Sequence, residues 1–160
     1  MYSPLAIANT IIEKKPGLTL LQLNKLVYLV QGWSLALRSP IVSELPIAFA
    51  YGPDYVSLYP LRRFGTQPIR AVELLVGLDT PLTVPSRDVE AHRVIDAVVK
   101  QYGSYLHWQL SALTHADGTP WAELVATDKR AVANHVALSE AAIRDYFIRL
   151  VASAPVRKAA

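Results

Sequence analysis

The 160 residues include 16 Lys/Arg and 13 Asp/Glu, a formal net charge of +3, with 52% hydrophobic and 18% charged residues. This composition excludes a disordered chain, which needs low hydrophobicity and high net charge, and it suffices for one domain to bury a core without staples. The absence of cysteine excludes disulfide frameworks, thiolate nucleophiles and Cys-ligated zinc.

Ser3-Pro4 opens the first predicted helix: serine caps free N–H groups and proline suits the first turn. Leu5, Ile7, Ala8, Ile11 and Ile12 recur at helical spacing, and Pro16-Gly17 ends the run. Thr19-Leu20-Leu21-Gln22 has the form of a capping box. Behind it residues 20–37 are apolar on more than one stripe, which marks a helix buried on most sides. The others are expected to pack around it. Lys25, Tyr28 and Gln31 step by three along this helix: either a lysine snorkelling past amphipathic neighbours or a polar seam linking the helix to the Tyr51-Gly52-Pro53 turn.

Residues 41–54 read as a loop with one short strand, and Asp54 as the N-cap of a helix over residues 55–64 with Val56, Leu58, Tyr59 and Leu61 inward. Residues 66–84 lack a long period; residues 69–72 read as extended. Pro85-Ser86 starts a helix with Val89, Val94, Ile95, Val98, Val99 and Tyr102 on its apolar face and an Asp96–Lys100 pair outside. Ser104 caps a short helix through Leu106, Leu110 and Leu113. A turn-rich loop from His115 leads to a short helix at Trp121. Ser139 caps the last helix, with Ile143, Phe147, Leu150 and Val151 inward and Glu140–Arg144 and Asp145–Arg149 as outward pairs. The fold class is therefore mainly α: a compact single-domain helical bundle around a buried central helix, with at most a few short strands. The domain is expected over residues 1–153, with a tail over 154–160.

No basic leader or cleavage site follows Met1, and a lysine amid the run 18–37 would cost about 3 kcal/mol on membrane insertion; a cytoplasmic domain without a membrane partner is expected. His92, His107, His115 and His135 form no His-x3-His or His-Glu-x2-His pattern, so no metal is indicated. His115, ending a helix, suits a structural role at the helix C-terminus. Neither a nucleophile elbow nor a phosphate loop is present, and no catalytic residue or cofactor is indicated. Residues 1–70 carry seven Lys/Arg against three Asp/Glu, and residues 71–160 nine against ten. The first part could thus present a positive face to an acidic partner. Arg62-Arg63 beside Tyr55, Tyr59 and Phe64, and Lys14-Lys15, are the basic clusters; solvated cations account for them better than nucleic-acid contacts.

Gln22-Leu23-Asn24-Lys25-Leu26-Val27-Tyr28-Leu29-Val30-Gln31-Gly32-Trp33 resembles the LQKLLYLAQGW helix of Panacea-domain proteins, the SocA-like antitoxins. Ala48-Phe49-Ala50-Tyr51-Gly52-Pro53 resembles their EAWxYGPV turn, Leu113-Thr114-His115 with Pro120-Trp121 their LTH…PW element, and residues 143–147 their closing helix. Phe49 stands where the family has Trp, and Asp54 where it has Val. The resemblance implies a noncatalytic antitoxin that occludes a cognate protein toxin. The alternatives are an adaptor that delivers the toxin to a Clp-type protease, and a nucleic-acid-binding autoregulator. Ala159-Ala160 resembles the Ala-Ala ends that such proteases read. It also implies that Lys25, Tyr28, Gln31, Trp33, Tyr51, Gly52, Pro53, Thr114, His115, Pro120 and Trp121 are scaffold. Toxin contact then falls to exposed positions, with Arg62, Arg63, Tyr55, Tyr59 and the first helix with Lys14 and Lys15 as candidates.

Overall fold

The computed structural model describes residues 1–73 and 82–154; the expected tail beyond 154, with Ala159-Ala160, lies outside them, as do residues 74–81 of the predicted loop. Among the described residues six α-helices, α1 (Pro4–Lys14), α2 (Leu20–Ala36), α3 (Val89–Tyr102), α4 (His107–His115), α5 (Pro120–Thr127) and α6 (Glu140–Ser153), surround or flank a two-stranded hairpin, β1 (Ile47–Phe49) and β2 (Gly52–Asp54). A 3-10 helix, Val56–Phe64, follows β2.

The capping box is formed: Gln22 N donates to Thr19 Oγ1 and Thr19 N donates to Gln22 Oε1 at 2.9 Å. It starts α2, which has buried residues on every side between Leu23 and Leu35. α1, α3, α4, α6, β2 and the 3-10 helix all pack against it. α6 comes closest at Gly32, where an added Cβ would stand 2.1 Å from the Phe147 ring. That ring meets Tyr28 and Trp33 edge to face, with centroids at 6.0 and 5.2 Å.

α1 is buried continuously from Pro4 to Ile12. Asn9 and Thr10 are inside because their side chains bind backbone of the following loops: Asn9 Nδ2 donates to Leu82 O at 2.9 Å, and Val84 N donates to Thr10 Oγ1 at 2.9 Å. Of the residues 69–72 read as extended, Ile69 forms a bridge to Leu18, while Ala71 lies in a bend.

Several local expectations change. Two strands replace the single expected one, paired Ile47↔Asp54, Ala48↔Pro53 and Phe49↔Gly52. Pro53 masks the second in sequence, since proline donates nothing to a ladder. Asp54 belongs to β2 and does not cap a helix: residues 56–64 form a 3-10 helix. Its period of three aligns Tyr55, Leu58, Leu61 and Phe64, so Val56 turns outward, 53% exposed. α3 is capped by Asp88, whose Oδ1 accepts from Ala91 N at 3.0 Å, rather than starting at Pro85-Ser86, and Val89 is exposed. At α4 Gln109 Oε1 accepts from Leu106 N at 2.8 Å, so Leu106 and not Ser104 is the cap. Val151 of α6 is exposed. Asp96 pairs with Lys14 at 2.6 Å instead of Lys100, and Arg144 reaches Asp145 at 3.5 Å instead of Glu140.

Because Gly32 is filled from the far side by Phe147, Gly32→Ala is expected to cost about 1–3 kcal/mol through overpacking, and Phe147→Ala about 3–5 kcal/mol through the cavity it leaves. Urea unfolding followed by circular dichroism measures both.

Candidate functional site

The row of polar residues on α2 ends at the hairpin. Lys25 is 2% exposed and its Nζ donates to Pro53 O at 2.7 Å. Burial lowers its pKa from 10.5 to about 8, with the nearby Asp54 carboxylate acting in the opposite sense. Gly52 makes this approach possible: its φ is +102°, and a Cβ there would stand 3.1 Å from Lys25 Nζ and 3.2 Å from Thr114 Oγ1. Beside Lys25, Asn24 Oδ1 accepts from Tyr55 N at 3.3 Å, and nearly two turns on Gln31 Oε1 accepts from the Tyr55 hydroxyl at 2.6 Å. Gln31 Nε2 donates to Glu44 O at 2.9 Å. The Tyr28 hydroxyl is buried without a hydrogen-bond partner among the described residues.

The second motif grips the hairpin from the other side. Thr119 caps α5, Pro120 takes its first position, and Trp121 Nε1 donates to Phe49 O at 2.9 Å. His115, at the end of α4, packs edge to face on Trp121 with centroids 5.4 Å apart. Thr114 Oγ1 donates back to Leu110 O at 3.1 Å. The free side of β1 is bonded as well: Ala48 N donates to Val136 O and Leu138 N to Pro46 O, both at 2.8 Å. The hairpin is thus fixed on three sides, and Tyr51 at its tip is 66% exposed.

Beside that tip lies the most concentrated cation–aromatic surface. The Arg62 guanidinium stands 3.5 Å from the Tyr59 ring centroid and 5.3 Å from that of Phe49. Phe49 in turn stacks on His135 at 5.8 Å. Arg62 Nη2 reaches Asp54 Oδ2 at 3.5 Å while its side chain stays 46% exposed. Arg62 and Phe49, with Leu20, Leu21 and Tyr51, line an open cavity of about 350 Å³ that has Lys25 and Asp54 in its wall. A second hollow of about 530 Å³, lined by Trp33, Leu37, Val94, Ala97 and Tyr102 between α2 and α3, is mostly apolar. Among the described residues no three His, Asp or Glu side chains gather where they could hold a metal ion.

The sequence candidates for contact are not brought together. Tyr55 is wholly buried, and α1 is buried from Pro4 to Ile12, which leaves only its Glu13–Lys14 end at the surface. Lys14 is paired with Asp96, and Lys15 lies half-buried beside Gly103. Arg63 is paired with Glu73 and stands over Phe64. Arg62 and Tyr59 remain, joined by Phe49, Tyr51, Asp54 and His135. Of these additions, Phe49 and Asp54 carry a signal in the sequence, since both depart from the motif around them; His135 carries none.

The lowered Lys25 pKa has a sign. Between about pH 8 and 10 the unfolded chain binds more protons at Lys25 than the folded chain, so stability rises with pH. Above about 10 the buried phenols of Tyr28 and Tyr55, both pushed up by desolvation, reverse the trend. Lys25→Met is expected to abolish the rise, which urea melts across this range measure.

The chain matches, over residues 23–122, the family described as antitoxin SocA-like, Panacea domain. It is 30% identical over 128 residues to a protein named antitoxin SocA from Caulobacter vibrioides (strain NA1000 / CB15N), an alignment covering 72% of this chain and 66% of the relative. The chain therefore spans just under two thirds of the length of that relative. No solved structure matches. The matched segment runs from the start of α2 to the start of α5 and so contains the hairpin, Lys25 and Trp121, but not the backbone of residues 136–138 that binds its free side.

Proposed function

The chain belongs to the SocA-like, Panacea-domain antitoxin family, and on that premise we propose that it is itself an antitoxin that neutralises a cognate protein toxin by direct binding. The observation that carries the binding mode is the Tyr59–Arg62–Phe49 stack at the rim of the cavity. Tyrosine and arginine are the residue types that most often anchor interfaces. Here they are held in place before any partner arrives, so less ordering entropy opposes association.

Neutralisation is by occlusion. The hairpin tip and the stack cover the toxin's working surface, and no bond-making step is assigned to this chain. The exposed guanidinium of Arg62 at the cavity rim favours an acidic toxin face. Protein contact is favoured over nucleic acid because Lys14 and Arg63 are engaged by Asp96 and Glu73, which leaves Arg62 with its aromatic neighbours rather than a basic run. Delivery to a Clp-type protease stays the alternative to occlusion. Among the described residues no helix is long and apolar enough to cross a membrane.

The test is co-expression with the product of the adjacent gene. Expected is rescue of growth with a stoichiometric complex on size exclusion, lost on Tyr59→Asp and kept on Leu37→Asp in the apolar hollow. Rescue by far less antitoxin than toxin, with turnover of a modified target, would contradict it. The opposite response of the two variants would move the contact to the α2–α3 hollow.

A further inference from the structure

The charges around the cavity beside the hairpin do not cancel. Lys25 and Arg62 bring two positive charges to it and Asp54 one negative. An ammonium has three N–H donors, and the one hydrogen-bond acceptor for Lys25 Nζ among the described residues is Pro53 O. Arg62 meets Asp54 through one nitrogen at 3.5 Å, which leaves most of its five donors at the mouth. Its guanidinium is fixed by the Tyr59 ring 3.5 Å away, so the fork is already oriented. Leu20, Leu21 and Phe49 add an apolar wall.

A carboxylate on a short methylene stem matches all of this. The stem lies along the wall, the oxygens accept from Arg62 while the buried Lys25 ammonium adds its field from the wall, and the hollow becomes neutral as its mouth is sealed. A cation would add to the excess charge, and a neutral side chain would leave that excess desolvated. We propose that this cavity receives an aspartate or glutamate side chain of the toxin as the polar anchor of the complex, an inference that rests on the antitoxin reading. Asp54 sets the specificity: by cancelling one of two cations it admits one carboxylate and disfavours a doubly charged group.

Two arms test this. In the first, glutamate capped at both ends (N-acetyl-glutamate α-amide) is titrated into the isotope-labelled protein and followed by NMR. It is expected to shift the amides of Leu21, Asn24, Asp54 and Arg62. The capped glutamine analogue is expected to leave them in place, and Arg62→Glu to abolish the shifts. Equal shifts with both probes, or none with either, would overturn the proposal. In the second arm, Arg62→Glu is expected to weaken the toxin complex by at least about thirtyfold, as loss of a desolvated charge pair does. A toxin Glu→Lys or Asp→Lys change at the anchor should recover at least about tenfold of that loss. Arg62→Glu binding within about threefold of the parent overturns the anchor while leaving direct binding standing. Failure of the unaltered protein to hold the toxin removes the antitoxin reading, and the first arm then decides the cavity. Arg62 is used because it is exposed, whereas Lys25→Met bears on folding as well.

Discussion

A buried hydrogen bond, from Lys25 Nζ to Pro53 O at 2.7 Å, ties the hairpin to the central helix, and the rest of the site is built on that tie. α2 carries the ammonium into the interior, where a cation is costly unless it is paired and bonded. A carbonyl and a nearby carboxylate must therefore be brought to it, and β2 supplies both in consecutive residues, Pro53 and Asp54. Gly52 lets the strand approach so closely, and Thr114 closes the space behind. A two-stranded ribbon of this length has little stability alone. It persists here because α2, Trp121 and the backbone of residues 136–138 each bind it.

The same arrangement gives the surface its character. With the hairpin fixed, Phe49 faces Arg62 on one side and His135 on the other, and Asp54 is near enough to pair with Arg62. Buried structure and exposed surface thus share residues: Asp54 tunes the lysine inside and steadies the arginine outside. A surface built this way is rigid where it meets a partner, which suits an interface whose strength comes from a few anchors.

How much of this the sequence shows follows from how local each feature is. The α2 capping box and the apolar rod behind it are written in neighbouring residues, and so is the Ser139 cap of α6. The hairpin is hidden because its strands are three residues long and one contains proline. The 3-10 helix is hidden because a period of three and one of 3.6 barely differ over nine residues, yet they send Val56 to opposite sides. Tyr55 looks like part of a basic–aromatic surface until Gln31, 24 positions away, claims its hydroxyl. Lys14 looks free until α3 brings Asp96 to it. The row on α2 was legible, with a seam to the turn as one of two readings; that it ends on a carbonyl beside a carboxylate was not, because that depends on the fold.

Hydrogen exchange in the Lys25→Met variant tests most directly whether this one contact holds the hairpin. Amide protection at Ala48, at Tyr55 and at Leu138 is expected to fall while the amides of α2 and α6 keep theirs, so that the hairpin loosens on an intact bundle. Unchanged protection at these three positions, with the bundle equally intact, would contradict the claim that the lysine sets the hairpin in place.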